Sequence, residues 1–328
     1  MNLPAVFLRQ KLVRTPLRSL PIIVVLLMRS GVTLGNDAHY LALPKVTDRE
    51  TQAADCALGW QVALREIFSC SWFMEGQPKA SKADAERIVV LTFDDSVKSH
   101  RTFVAPLLKE LGFGATFFVT HRWMDDSANF MTWGEIAEIH RMGFEIGNHS
   151  WTHDDFSKAA NAVRLSGELA QVEAELAKVK VPHPVSFAYC GDNFGPEAVS
   201  ELVKAGYKFA RRGMQPEVPY GEIRVGPVYD PQKNHPLLIP TTGDAYPGWT
   251  LQDFQKVVNQ AGEGRIAVLQ FHGVPDPAHP WVNTQPELFR KCMAYLKEKS
   301  FLVIALRDVE RYCPTTPPDD PLLRTRFP

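Results

Sequence analysis

From residue 87 onward, short apolar runs alternate with segments of helical spacing, and this alternation constrains the fold more than any other feature. The runs predict seven strands, at 87–94, 115–120, 144–148, 185–189, 207–211, 265–272 and 301–306. Helical spacing predicts helices between them, at 98–111, 132–142, 161–180, 196–205, 250–262 and 285–299. Strands that are apolar on both faces and alternate with helices favour a parallel sheet covered by helices.

The number of strands favours a closed or nearly closed barrel over an open sheet. No Gly-x-Gly-x-x-Gly turn follows any predicted strand, and that turn is typical of open dinucleotide-binding folds. We therefore predict an α/β fold, a distorted (β/α) barrel of about seven strands with an N-terminal helical extension. In such barrels the reactive groups gather at the carboxyl ends of the strands.

The segments outside the strand and helix alternation set the predicted domain boundaries. Residues 1–35 place basic side chains before a nine-residue apolar run at 20–28, the layout of a secretory signal peptide. A bilayer span takes roughly 20 apolar residues, so no stable membrane span is expected. Residues 36–86 predict a helical extension and connector, residues 87–312 the barrel domain, and residues 313–328 a Pro-rich, extended or disordered tail.

The signal-like segment predicts an exported protein, located in the periplasm, in the cell envelope or outside the cell. A translation start assigned too far upstream would instead indicate a cytoplasmic protein. With 36 basic and 37 acidic residues the formal charge is -1, so no overall field attracts nucleic acid or an anionic membrane. The oligomeric state is left open.

Two acids and two histidines stand where predicted strands end. Asp94 and Asp95 close the first strand, and His149 and His153 follow the third. A hydrolytic metal site needs three protein ligands and an open position, and Asp95, His149 and His153 supply three. Asp94 is then the predicted general base. One carboxylate with two imidazoles suits Zn in the first place, and also Co, Fe or Ni.

Further residues complete the predicted site. His272 ends the sixth predicted strand, where it can give a proton to the leaving nitrogen. Asp276, His279 and Trp281 lie in a Pro-rich loop directly after it, where they can line a substrate groove, and the aromatic face of Trp281 offers a stacking surface. The alternative is a rigid loop that only closes the barrel.

Four short segments resemble motifs of the polysaccharide deacetylase family, the NodB-homology group of metal-dependent carbohydrate esterases. They are Thr-Phe-Asp-Asp-Ser at 92–96, His-Ser-Trp-Thr-His at 149–153, Phe-Ala-Tyr-Cys-Gly at 187–191 and Leu-Gln-Phe-His at 269–272. The resemblance covers roughly 87–310 and implies a divalent metal, the residue roles given above and removal of acetyl groups from sugar polymers. It also implies that a backbone N–H near Tyr189 or Cys190 holds the tetrahedral oxyanion.

The chain departs from the family pattern at three positions, and the acid and Trp pair that supports the family's catalytic histidine is not recognisable. Cys190 takes the place of the Pro in the family variant Phe-Ala-Tyr-Pro. Ser96 stands where many members have Gly, which is tolerable if the turn needs no positive φ. Ala188 stands where the third motif usually has an Arg that pairs with the base. Arg211 or Arg212, at the end of the next predicted strand, is our hypothesis for the replacement. The segment 229–246, rich in Pro and polar residues, is expected to form a rim loop over the site.

The sequence therefore predicts a metal-dependent hydrolase of non-peptide carbon-nitrogen bonds, acting on an N-acetylated polysaccharide or oligosaccharide. Two alternatives remain open at this point. One is a hydrolase of a small cyclic amide or ureide on the same barrel, and the other is a catalytically weak relative that binds carbohydrate. For the polysaccharide hydrolase and for the carbohydrate-binding relative, the predicted partner is a carbohydrate.

Overall fold

A computed structural model describes residues 86–324, and every structural statement below refers to this part of the chain. The predicted signal-like segment at 1–35 and all but the last residue of the predicted extension at 36–86 lie outside it.

Eight parallel strands form one sheet. Their order is β5-β4-β3-β2-β1-β7-β6, and β8 pairs with the amino-terminal half of β1. The strands are β1 (Ile88–Phe93), β2 (Thr116–Val119), β3 (Glu145–Asn148), β4 (Ser186–Ala188), β5 (Phe209–Arg211), β6 (Gly243–Asp244), β7 (Ile266–Phe271) and β8 (Leu302–Ile304). All seven predicted strands are present within one or two residues of their predicted bounds.

The segment that leads into β6 joins the two edges of the sheet. On one side, the N–H of Ile239 donates to Ala210 O at 2.9 Å, and the carbonyl of Ile239 accepts from Arg212 N at 2.9 Å. On the other side, Thr242 N donates to Val268 O at 2.7 Å. Seven strands therefore run around a distorted barrel, and the predicted fold class is confirmed.

Seven helices lie between or after the strands. They are α1 (Ala105–Leu111, preceded by a π-helical turn His100–Val104), α2 (Trp133–Arg141), α3 (Ala159–Ala162), α4 (Leu165–Lys178), α5 (Pro196–Lys204), α6 (Leu251–Val258) and α7 (Pro286–Glu298). The single helix predicted at 161–180 is thus two helices, and the helix predicted at 250–262 ends earlier. Among the described residues, no helix combines the length and apolar character that a bilayer crossing requires.

Alternate residues of β1 face two different hydrophobic clusters. Val89, Leu91 and Phe93 pack in the layer between the sheet and the helices. Ile88 and Val90 pack inside the barrel, in the cluster that also holds Phe209 of β5. Because side chains alternate along a strand, the inward-facing positions that follow Val90 lie at the carboxyl-terminal mouth of the barrel.

The prediction of a rim loop at 229–246 is wrong for most of that segment. Tyr229 pairs with Ile266 at the amino end of β7, away from the strand ends that carry the site. Residues 239–244 form the closing segment, and its strand, β6, was not predicted because it has only two residues and lacks an apolar run. Gly243 is required there, since a Cβ atom would stand 2.7 Å from Val257 and 2.9 Å from Trp249.

The described part of the Pro-rich tail packs on the barrel domain. Asp320 is buried and accepts a hydrogen bond from His235 N at 3.2 Å. A 3₁₀ turn follows at Pro321–Arg324, and its Leu322 and Leu323 contact the cluster between α4, α5 and the sheet. The tail is therefore anchored by one buried carboxylate and two leucines as far as residue 324.

Candidate metal and catalytic site

Polar residues from five strand ends meet at one cavity. The strands are β1, β3, β4, β5 and β7, so the parallel barrel brings together segments that are far apart in the sequence. The residues at these ends are Asp94, Asp95, His149, Tyr189, Arg211 and His272. The cavity has a volume of about 130 Å³ and is lined by all of them except Arg211.

The three predicted metal ligands lie together. Asp95 Oδ1 is 3.6 Å from His149 Nε2 and 3.4 Å from His153 Nε2. In a tetrahedral zinc site with bonds of about 2.0–2.2 Å, ligand atoms stand about 3.4 Å apart. The separations around the Asp95 oxygen therefore match what a small divalent ion needs.

The two histidines are presented by a tight loop rather than a helical turn. His149 Nδ1 donates to Ala188 O at 2.8 Å, which directs Nε2 toward Asp95. His153 has a positive φ of 57°, and its N–H donates to Ser150 Oγ at 3.0 Å. Thr152 bonds through its N–H and its hydroxyl to the buried Glu168 of α4. The His149 ring is thus fixed by β4, and the loop that carries His153 is fixed by Ser150 and by Glu168 of α4.

The Asp95 carboxyl group lacks a positive partner that would balance it. Its Oδ1 is buried and makes no hydrogen bond to any described residue. Burial, followed by the adjacent Asp94 charge, raises the pKa of Asp95 well above its usual range. A divalent cation would supply the missing positive charge and reverse that effect. The residues present therefore fit a metal ion.

Cys190 also lies near the histidines. Ligand atoms of His149, His153 and Cys190 come within 4.8 Å of one another. However, Cys190 Sγ approaches Nδ1 of His149 at 3.9 Å, and that nitrogen carries the proton donated to Ala188. Burial also raises the pKa of the Cys190 thiol well above its usual range, which disfavours the thiolate. Asp95 is the better third ligand on both counts.

Arg211 pairs with the predicted base. Its guanidinium hydrogen-bonds Asp94 Oδ2, and the side chains of both residues are almost fully buried. Burial alone would raise the pKa of Asp94, but the charge of Arg211, with smaller contributions from His149 and His272, holds it below its ordinary value. Asp94 is therefore kept ionised and oriented.

Arg212 does not reach Asp94. Its guanidinium forms a bidentate pair with Glu217, with both N–O distances at 2.8 Å, and also donates to the Gln215 carbonyl. Consecutive residues at a strand end point to opposite faces, so only one of the two arginines can enter the barrel. Of our two hypotheses for the base's partner, the structure places Arg211 there and assigns Arg212 to a loop outside it.

His272 faces Asp95 from the opposite side, with Nε2 3.8 Å from Asp95 Oδ2. Burial lowers the pKa of His272 to about 4. Of the two backbone donors expected for the oxyanion, Tyr189 N already donates to Arg211 O at 3.0 Å. The Tyr189 hydroxyl donates to Leu237 O, outside the cavity. Cys190 N is the donor of the two that remains.

Several residues that lie here were not among the predicted metal ligands or catalytic groups. His279 places Nδ1 3.8 Å from Asp95 Oδ2 and 3.5 Å from Asp276 Oδ2. Asp192 lies 3.6 Å from Arg211, and Gln270 accepts a hydrogen bond from the Arg211 guanidinium. Gln270 lies on β7, two residues before His272, and this spacing puts both side chains on one face. The spacing could therefore have predicted that Gln270 lies at the site.

The turn after β1 corrects one expectation. Asp95 and Ser96 both have positive φ, 73° and 59°, so the condition under which Ser96 would be tolerated without strain does not hold. Instead, Ser96 Oγ donates to Thr120 O and accepts from Thr120 N, each at 3.0 Å. These two hydrogen bonds to the end of β2 offset the cost of a left-handed non-glycine residue.

The sequence pattern of the polysaccharide deacetylase family matches residues 81–210. A chitin deacetylase of Pestalotiopsis sp is 31% identical over 126 residues, which cover 36% of this chain and 38% of that protein. A poly-beta-1,6-N-acetyl-D-glucosamine N-deacetylase of Escherichia coli (strain K12) is 30% identical over 127 residues, covering 30% of this chain and 18% of that protein. The chain thus spans well under half the length of these curated relatives.

Solved structures with similar chains include a family 4 acetyl xylan esterase from Clostridium thermocellum in complex with a cobalt ion. It is 21% identical, with a TM-score of 0.47, covering 69% of this chain and 93% of that one. A domain of a multidomain xylanase from the hindgut metagenome of Trinervitermes trinervoides is 16% identical, with a TM-score of 0.48, covering 69% and 91%.

Proposed function

We propose that the chain, whose residues 81–210 match the sequence pattern of the polysaccharide deacetylase family, is a metal-dependent hydrolase that removes acetyl groups from an N-acetylated polysaccharide or oligosaccharide. The observation that carries the proposal is the buried, unpartnered oxygen of Asp95 facing Nε2 of both His149 and His153. A second carboxylate, fixed by Arg211, stands directly beside it.

Asp95, His149 and His153 would hold the metal ion, with zinc as our first choice. When bound, such an ion supplies a coordinated water whose pKa is lowered towards about 7 and an electrophile for a carbonyl oxygen. The hydrogen bond from His149 Nδ1 to Ala188 O keeps Nε2 free to act as a ligand atom.

Asp94 is the proposed base. Arg211 keeps its carboxylate ionised at neutral pH and fixes one oxygen, Oδ2, while Oδ1 makes no hydrogen bond to a described residue. Oδ1 is therefore the oxygen that accepts a proton from the attacking water. The same oxygen is buried at the cavity, so bulk water does not compete for it.

His272 is the proposed acid, because it faces the cavity from β7, across Asp95 from the two histidine ligands. It passes the proton that Asp94 accepts from the attacking water on to the leaving nitrogen as the carbon-nitrogen bond breaks. The N–H of Cys190 is proposed to hold the oxyanion. The products are acetate and the free amine of the sugar.

The proposal is tested by acetate release from N-acetylated chitin fragments, peptidoglycan fragments and acetylated xylan, with the full chain loaded with zinc and after treatment with a chelator. We expect release from an N-acetylated substrate that chelation abolishes and zinc restores. Release that persists after chelation would exclude the metal mechanism. Hydrolysis of a cyclic ureide, with no acetate from any saccharide, would point to the alternative function.

Export stays a prediction, because residues 1–35 lie outside the described part of the chain. Sequencing the amino terminus of the protein from the periplasm or the medium tests it, and a terminus near residue 35 is the expected result.

A further inference from the structure

The cavity is too small for a sugar ring. Its volume is about 130 Å³, and an engineered protein cavity of about 150 Å³ holds one benzene molecule, which has six heavy atoms. An acetamido group with one water has five heavy atoms, whereas a hexopyranose with its hydroxyl oxygens has about twice as many. The acetyl group and the attacking water can therefore enter, and the ring must remain at the rim.

Two aromatic side chains are exposed at that rim. Among the described residues, six large hydrophobic side chains are exposed, and Tyr220 (53%) and Trp281 (61%) are the aromatic ones among them. Both line this cavity. Single exposed apolar residues are common on protein surfaces, but two large aromatic ones at the same small cavity form a surface suited to the apolar face of a sugar ring.

One small hydrophobic cluster contacts Tyr220 and includes the chain neighbour of Trp281. It consists of Met214, Val218, Tyr246 and Val282. Val282 belongs to the same 3₁₀ turn as Trp281, Pro280–Val282. The ring of Tyr246 contacts that of Tyr220 edge to face, with centroids 5.9 Å apart, and the Tyr246 hydroxyl accepts from the N–H of Gly221 at 3.1 Å.

The loop that carries Tyr220 is also fixed by charge. Arg212, which is buried, bonds Glu217 through two N–O distances of 2.8 Å and also bonds the Gln215 carbonyl. A bidentate guanidinium-carboxylate pair sets geometry as well as energy. Arg212 therefore ties the loop 213–222 to the end of β5, one residue after the Arg211 that holds Asp94.

We infer that Tyr220 and Trp281 form the walls of a binding site for the pyranose ring whose acetyl group enters the cavity, with Arg212 and Glu217 as positioning residues. This inference rests on the proposed deacetylation. The rim loops would recognise the ring, and the residues at the barrel mouth would cleave the bond. Sugar binding and acetate release can therefore be measured separately.

The test is calorimetric binding of an N-acetylated chitin trisaccharide to the full chain in chelator, where turnover does not interfere. We expect Tyr220→Ala and Trp281→Ala each to raise Kd roughly fivefold to tenfold, the range of an aromatic stacking contact. Trp281→Phe keeps a ring and should recover most of the affinity. Glu222→Ala is the matched control, since Glu222 pairs with exposed Arg224 on the same loop, and its Kd should equal that of the wild type.

The positioning role has its own measurement. Glu217→Ala should raise Kd when Tyr220 is present and add little in a Glu217→Ala, Tyr220→Ala double variant, because the two changes act through one contact. Additive effects would overturn the positioning role. Unchanged Kd in both Tyr220→Ala and Trp281→Ala, or no binding by the wild type, would overturn the site. Binding that responds as expected while acetate release fails would count against the proposed function alone.

Discussion

At the scale of single residues, Asp94, the proposed base, receives its guanidinium partner from β5. The resembling family usually has an Arg at the position of Ala188, and here Ala188 of β4 is the direct register partner of Arg211 of β5. Both face the interior of the barrel, so the small alanine leaves room for the arginine of the adjacent strand. A guanidinium charge therefore reaches Asp94 from the neighbouring strand position.

Arg211→Gln should lower kcat by about 10- to 100-fold with little change in metal affinity, because Asp94 loses the partner that orients and ionises it. Arg224→Gln, which removes an exposed arginine, is the control and should retain full turnover. The double variant Ala188→Arg, Arg211→Ala moves the guanidinium to the family's usual position and should recover part of the loss. No difference in kcat between Arg211→Gln and the wild type would contradict the role of Arg211.

Ser96→Ala should lower the free energy of unfolding by about 1–3 kcal/mol, because it leaves the buried Thr120 N–H without its acceptor in a turn that retains positive φ. Ser96→Gly loses the same hydrogen bonds but removes the conformational strain, so its loss should be smaller by about 1 kcal/mol. Urea unfolding of both variants measures the difference. Equal losses would show that the left-handed conformation costs nothing here.

At the scale of elements, α4 carries a residue that sets the geometry of the histidine loop at 149–153. Glu168 is buried on this helix and receives the hydrogen bonds of Thr152, which stands between the two proposed ligands. The spacing of the histidines did not predict the contact between Thr152 and Glu168, because in the sequence Glu168 is one of several polar residues of an amphipathic helix. These hydrogen bonds therefore restrain the loop that carries the two proposed ligands.

Glu168→Ala should weaken metal binding by roughly 10- to 100-fold, the range seen when an outer partner of a ligand set is lost. Glu175→Ala, on the same helix and paired with Lys178, is the matched control and should bind the metal like the wild type. Competition with a chromophoric zinc chelator measures both affinities. Equal affinity in the two variants would show that Thr152 is not restrained by Glu168 in a way that matters for the ligands.

At the scale of the whole molecule, apolar patterning predicted the barrel and its mouth, because buried parallel strands are apolar on both faces. It missed β6, since a two-residue strand containing Gly243 has no such pattern. It could not separate Arg211 from Arg212, because Phe209 and Ala210 are both apolar and do not reveal which face turns inward. Tyr220 was not assigned a role for a related reason: it lies in a loop, where residue spacing does not predict position.

The stability of the molecule should fall as the pH drops from about 6.5 towards 4. Burial lowers the pKa of His100 from 6.5 to about 4, so in that interval the unfolded chain binds a proton that the folded chain does not. This contribution is fully present above pH 6.5 and amounts to about 3 kcal/mol over the interval. Urea unfolding in chelator should show a flatter pH dependence for His100→Gln. The exposed-residue control, His183→Gln, should keep the slope of the wild type, and an unchanged slope in His100→Gln would contradict the assignment.

The volume of the cavity also limits which acyl groups the molecule accepts. A space slightly smaller than one that holds benzene admits the two carbons of an acetyl group, and each further methylene would have to displace packed side chains such as Val282 or Tyr189. One methylene in a tight apolar pocket is worth about 1–3 kcal/mol of discrimination. Propionyl and butyryl sugars should therefore react progressively more slowly, so that chain-length selectivity follows from the diameter of the barrel mouth.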